Sequence, residues 1–214
     1  MSRLAYSTAI AALVLCACNE EKPTETPAKA DTSAAADTSP GADNSGAPAA
    51  TAPSAETVDG TLLEVGAAAP AIDATAHDGE KVSLEKLKGK PVIVYFYPKD
   101  DTPGCTIEAQ QIRDSYEDLS KTGAVVLGVS SDSNTSHSEF AKKYSLPFKL
   151  LPDSDHAIAK AFGVSLRGGK AARVTFLIDK QGKIAKVFPK VNPDGHAKEL
   201  LEALKALPEA AATP

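Results

Sequence analysis

The chain reads as a layered α/β fold, a central mixed sheet flanked by helices. Three features carry this. Residues 91–97 and 124–129 are uncharged runs rich in β-branched and aromatic residues, the composition of strands buried on both faces. Each is followed by a segment whose apolar residues recur at helical spacing. Near the end, two further strand-like runs flank Asp179-Lys180-Gln181-Gly182, a hairpin turn, and a last helix follows.

In chain order, residues 72–75 and 81–83 around Asp78-Gly79 predict a small hairpin. Residues 84–87 make one helical turn, stopped by Gly89 and Pro91. After the strand at 91–97, Cys105, Ala109, Ile112, Tyr116 and Leu119 lie at spacings of four, three, four and three, one stripe of a helix ending near Gly123. A second strand at 124–129 leads to a helix over 134–144, with Ser136-x-x-Glu139 as a capping box. A short strand at 148–151 and a helix around 155–162 follow. Residues 167–170 (Arg-Gly-Gly-Lys) read as a loop, lacking the spacing and the Lys-Ser/Thr pair of a phosphate-binding loop. Strands at 173–178 and 183–188 form the hairpin, and the final helix spans about 193–207.

The chemistry gathers at the junction of the first buried strand and its helix, Tyr95-Phe96-Tyr97-Pro98-Lys99-Asp100-Asp101-Thr102-Pro103-Gly104-Cys105-Thr106. An apolar run ends at a proline, crosses an acidic turn and places one cysteine in the first helical turn. The first N–H groups of a helix lack internal partners and carry partial positive charge. A thiolate there is stabilised, so more of the sulfur is nucleophilic near neutral pH. Thr102 can cap the helix or hydrogen-bond the sulfur, and Pro103 suits the first turn. The competing reading is an inert core cysteine.

Pro98-x-x-x-Thr102-x-x-Cys105 resembles the peroxiredoxin active-site pattern, and YFYPKDDTPGCT is similar to the bacterioferritin-comigratory (Q-type) branch. The likeness runs from about residue 65 to 204, through VSLEKLKGKPVIVYFYPKDDTPGCT, AVVLGVSSDS, FAKKYSLPFKLLPD and VTFLIDKQGKI. It implies a thioredoxin-like fold and a thiol peroxidase reducing hydrogen peroxide and organic hydroperoxides. Cys105 would become a sulfenic acid, helped by Thr102, backbone N–H groups near Gly104 and Cys105, and an arginine, with Pro98 shielding the thiolate. No cofactor is implied.

Arg173 is the arginine chosen. If its strand runs antiparallel to residues 91–97, it begins where they end, beside Cys105. Arg113 sits eight residues along the cysteine's own helix, roughly 12 Å from its start at 1.5 Å per residue. Arg167 belongs to the Gly-Gly loop, and a surface ion pair is the ordinary alternative for Arg173. Many Q-type members carry a resolving cysteine five residues after the first, where this chain has Gln110. The sulfenic acid would then be reduced by an external thiol (thioredoxin-, glutaredoxin- or glutathione-like) or by a second copy through an intermolecular disulfide.

The totals bound the rest. The 214 residues carry net charge −5. From Gly60 onward 20 Lys+Arg balance 20 Asp+Glu, whereas residues 19–59 hold two Lys against eight acids. A neutral body has no basic patch for nucleic acid. The four histidines, His77, His137, His156 and His196, show no ligand spacing, so no metal is expected. Residues 1–17 carry Arg3 and then an apolar run shorter than the about 20 residues of a membrane span, the pattern of an export signal. Leu15-Cys16-Ala17-Cys18 resembles a bacterial lipobox, making Cys18 the lipidated first residue of the mature chain, on the extracytoplasmic side of a membrane. Asn19 after it favours the outer membrane where the host has one. Residues 18–60 are a tether of Ala, Pro, Thr, Ser and acids; its stretch 19–57 contains no Val, Leu, Ile, Met or aromatic residue. About 40 such residues span on the order of 35 Å. Residues 61–208 form the catalytic body, a monomer or weak dimer, and 209–214 a frayed tail.

Two rivals share parts of this pattern. A thioredoxin-like disulfide oxidoreductase needs a second cysteine, and Cys105-Thr106-Ile107-Glu108 has none. A non-enzymatic tethered binding module would show no thiol-dependent turnover.

Overall fold

The computed structural model describes residues 60–208. The export signal, Cys18, the tether before Gly60 and the tail at 209–214 lie outside the described residues. The elements are β1 (Asp73–Thr75), β2 (Lys81–Ser83), a 3-10 turn (Glu85–Leu87), β3 (Val92–Phe96), α1 (Pro103–Asp114), α2 (Tyr116–Lys121), β4 (Val125–Ser130), α3 (Asn134–Tyr144), β5 (Lys149–Pro152), α4 (Ala157–Ala161), β6 (Leu166–Arg167), β7 (Lys170–Ala171), β8 (Val174–Ile178), β9 (Ile184–Phe188) and α5 (His196–Lys205).

Five strands form the central sheet in the order β5-β4-β3-β8-β9. β3, β4 and β5 run parallel, and β8 and β9 turn antiparallel. This is a thioredoxin-like α/β arrangement with a mixed sheet. β3 lies at the centre and is buried along its whole length. Its alternate residues serve two cores. Ile93 and Tyr95, with Tyr97 just beyond the strand, pack on Cys105, Ala109 and Ile112 of α1 and Leu200 and Leu204 of α5. Val92, Val94 and Phe96 face Phe162, Phe176 and Ile72 on the other side.

Register positions the chemistry. Phe96 pairs with Val174, so residue 173 stands at the carboxyl end of β3, where the chain leaves the sheet toward α1. In open α/β sheets this edge is where sites form. Gly128 of β4 pairs with Tyr95, and a Cβ there would come within 2.7 Å of the Tyr95 ring and hydroxyl. Only glycine lets that large side chain lie across the neighbouring strand.

Four local details differ from expectation. The stripe from Cys105 to Leu119 is two helices broken at Ser115, whose N–H reaches back to Gln111 and Arg113. α3 is capped by Ser133, whose side chain accepts from the Ser136 N–H, so Ser136-x-x-Glu139 is not the capping box. Residues 167–170 are the turn of a short hairpin, β6–β7, and not a free loop. Thr102 has the extended backbone of an N-cap residue, yet its side chain makes no cap bond; the hydroxyl donates instead to the Lys99 carbonyl, three residues back, at 3.0 Å.

Candidate active site

Cys105 is the third residue of α1, in the first turn, and is 2% exposed. It is the free cysteine among the described residues. The first helical bond, from Thr106 N–H to the Thr102 carbonyl at 2.8 Å, leaves the amides before it directed out of the helix end. Arg173 enters from the start of β8. Its Nη2 donates to Cys105 Sγ at 3.3 Å, and its Nη1 makes a tight ion pair with Glu108 Oε2. The guanidinium is held between two groups one helical turn apart. Gly104 keeps this space open, since a Cβ there would lie 3.3 Å from Arg173 Nη2.

The other arginines lie elsewhere. Arg113 donates to the Tyr144 carbonyl and pairs with Asp114, and Arg167 is exposed on the β6–β7 hairpin. Thr102 and Pro98 stand on the loop between β3 and α1, half-buried. Gln110, five residues beyond the cysteine, is half-buried on α1. Its neighbour Gln111 ties α1 to the loop before α5, donating to Asp194 Oδ1 at 2.6 Å and accepting from the Gly195 N–H at 2.7 Å.

The β3–α1 loop rests on a buried polar cluster. Asp100 Oδ1 accepts from the Tyr97 hydroxyl at 2.7 Å, and Oδ2 lies 2.7 Å from the Ser136 hydroxyl and 2.8 Å from His137 Nδ1. Nε2 of His137 lies 3.2 Å from the Leu151 carbonyl. Both ring nitrogens therefore face acceptors. The Asp100 N–H donates to Asp132, which also accepts from Ser130. Asp101 next to it takes a left-handed φ of 55°, sparsely populated for a residue with a side chain. Lys143 and Tyr144 of α3 clamp its carboxylate at 2.6 Å each, and these bonds hold its acid below the ordinary range.

The side facing the sulfur is less complete. Glu108 is fully buried, and burial pushes its carboxyl up to about 7 against the opposing pull of Arg173. Its Oε1 and the Tyr95 hydroxyl are, among the described residues, the buried side-chain polar atoms without a hydrogen-bond partner. Burial, with Glu108 next in weight, raises the Tyr95 phenol well above its ordinary value. No group of three or more His, Cys, Asp or Glu among the described residues could hold a metal ion.

Sequence reasoning brought Cys105, Thr102, Pro98 and Arg173 to this corner of the sheet and missed Glu108 and the Asp100–His137 pair. The signal for Glu108 was available: it is an acid on the buried stripe, three residues from the cysteine, where only a paired charge is stable.

The AhpC/TSA family matches residues 65–187. The chain belongs to the peroxiredoxins, in their bacterioferritin-comigratory or Q-type branch. It is 44% identical over 154 residues to the peroxiredoxin Bcp of Bacillus subtilis, covering 69% of this chain and 98% of that protein. It is also 44% identical over 161 residues to the chloroplastic peroxiredoxin Q of Populus jackii, covering 72% and 76%. Among solved structures, the bacterioferritin comigratory protein of Xanthomonas campestris superposes with a TM-score of 0.61 at 35% identity, covering 69% of this chain and 98% of the other. This peroxiredoxin is a thiol peroxidase: a cysteine thiolate takes the distal oxygen of a hydroperoxide, becomes a sulfenic acid and is restored by thiol reductant.

Proposed function

We propose that Cys105 is the sulfur that attacks the peroxide, that Arg173 and the first-turn amides of α1 bind the two peroxide oxygens as the bond between them breaks, and that Thr102 and Pro98 wall the approach. The observation that carries this reading is the single contact from Arg173 Nη2 to Sγ at 3.3 Å, made at a helix N-terminus. A fixed cation there stabilises the thiolate and the charge that develops on the leaving oxygen, without reorganisation during the reaction. The sulfur pair forms an S–O bond to the distal oxygen, and the proximal oxygen departs with the O–O electrons and takes up a proton. The test is peroxide consumption with a thiol reductant: Cys105→Ser should abolish turnover, and equal rates would remove Cys105 from the reaction.

The cycle is a one-cysteine cycle closed by an external thiol. Gln110 stands at the resolving position, and residues 60–208 contain no second cysteine. At 2% exposure the sulfur admits a small peroxide far more easily than a protein-borne thiol, so the first turn of α1 must open for the reductant to reach it. Mass spectrometry of the mature chain after limited peroxide should show no intramolecular disulfide.

The same reading places the enzyme at a membrane: cleavage before Cys18, lipidation of that cysteine, residues 18–60 as tether and 61–208 as the body held off the surface, on the extracytoplasmic side. The lipobox-like Leu15-Cys16-Ala17-Cys18 supports it. Organic hydroperoxides, including those formed in lipid, suit such a location; the Xanthomonas relative is described for alkyl peroxide reduction. Labelling with a radioactive fatty acid should mark the wild type and spare Cys18→Ser, and equal labelling would refute the anchor.

A further inference from the structure

Glu108 is a buried ionisable group beside the sulfur that takes no part in the peroxide step as proposed. It lies three residues from Cys105 on α1, on the same face, and is 0% exposed. One oxygen meets the guanidinium that also reaches the sulfur; the other has no protein partner. A carboxylate held this way is costly, because half of its acceptor capacity goes unmet away from water. A carboxylic acid is cheaper. Around it, β3 contributes the Tyr95 phenol, the start of β8 contributes Arg173, and α1 contributes Cys105; Asp100 acts on Tyr95, and His196 of α5 acts with Arg173. The nearest set is therefore one fixed cation and two acids, Glu108 and Cys105, on a common donor. It is neutral when one of the two acids is ionised. With both ionised, a net negative charge would sit in the core.

We propose that Glu108 and Cys105 share one negative charge, so that Glu108 holds the proton when Cys105 is a thiolate and releases it when Cys105 is oxidised. The inference rests on Cys105 being the attacking sulfur. The balance is complete. Thiolate, hydroperoxide and protonated Glu108 give sulfenic acid, alcohol (or water) and Glu108 carboxylate. The S–O bond forms as the O–O bond breaks, and the proton lost by Glu108 is the one gained by the leaving oxygen. The new carboxylate inherits Arg173 as its counter-ion. When thiol reductant restores Cys105 as a thiol, its proton returns to Glu108 and the thiolate is regenerated. Proximity to an arginine is thus used twice per turnover, by two anions in alternation.

Infrared difference spectroscopy of the full chain on adding one equivalent of hydrogen peroxide tests this, with the mass of Cys105 followed in parallel. Near neutral pH the wild type should lose one protonated-carboxyl C=O band as Cys105 gains one oxygen, and Cys105→Ser should show no change. Gain of oxygen with no loss of that band would overturn the shared charge. No gain of oxygen would sink the reading of Cys105 itself, and this proposal with it. Glu108→Gln keeps the shape and the acceptor for Arg173 but has no proton to give. Its rate of sulfenic acid formation should fall on the order of 10²-fold and lose its pH dependence near neutrality; an unchanged rate would mean that the side chain only positions Arg173. Should this variant fail to fold, the wild-type infrared result still decides.

Discussion

Two buried polar clusters meet at the β3–α1 junction, and they are built in opposite ways. Around Asp100 both carboxylate oxygens, both nitrogens of His137, the Tyr97 hydroxyl and the Asp100 N–H find partners. Around Cys105, Glu108 and Tyr95 keep unpartnered polar atoms. A saturated network is rigid, and here it fixes a loop that includes a left-handed Asp101. An unsaturated one stores free energy that a change of charge can release. The contrast separates the part of the molecule that holds the geometry from the part we propose to react.

The largest effect should come from emptying the saturated cluster. Asp100→Ala leaves His137, Tyr97 and Ser136 without their common acceptor, and urea denaturation should show a loss of about 3 kcal/mol. A loss below about 1 kcal/mol would mean that the loop is held by other contacts.

Next comes the reactive side. The carboxyl of Glu108 is raised from 4.5 to about 7 in the folded chain. A group whose folded value is raised contributes stability that is complete below 4.5 and is lost as pH climbs through about 7. The wild type should therefore lose on the order of 3 kcal/mol across that window relative to Glu108→Gln, which lacks the titration. Parallel urea midpoints from pH 4.5 to 8 would show that Glu108 titrates normally.

The finest comparison uses two tyrosines one turn of the pleat apart. Tyr97→Phe removes a donor to Asp100 and should cost about 1–2 kcal/mol. Tyr95→Phe removes a buried hydroxyl with no partner, and should be neutral or stabilising by up to about 1 kcal/mol. Equal losses would erase the distinction between the clusters.

Much of this was legible in the chain and some was not. Uncharged runs marked residues 91–97 and 124–129 as buried strands, but composition does not separate them, and that β3 is the central one is seen only in the strand order. The placing of Arg173 at the end of β3 rested on the assumption that the strand at 173–178 pairs antiparallel with it, and the register of Phe96 against Val174 has that pairing. The break at Ser115 had no local signal, since Tyr116 and Leu119 continue the apolar stripe across it. Glu108 was legible as an acid on the buried stripe of α1, but its partner Arg173 lies 65 residues away, so nothing local announced the pair. Asp100 and His137 are 37 residues apart, and nothing local to either announces a pair that only the packing of α3 against β5 and the β3–α1 loop creates. The capping-box spacing favours Ser136 as the α3 cap, whereas the helix is capped three residues earlier, at Ser133.

The most direct test of the account is the rate at which one equivalent of hydrogen peroxide adds oxygen to Cys105 in the wild type and in Arg173→Ala, read by rapid quench and mass spectrometry. The guanidinium is the one cation in contact with the sulfur among the described residues, and its loss should slow the step by about 10²–10³-fold, with the fold retained because Glu108 can take a proton in its place. Equal rates in the two proteins would contradict the claim that this corner of the sheet, through Arg173, makes the sulfur reactive.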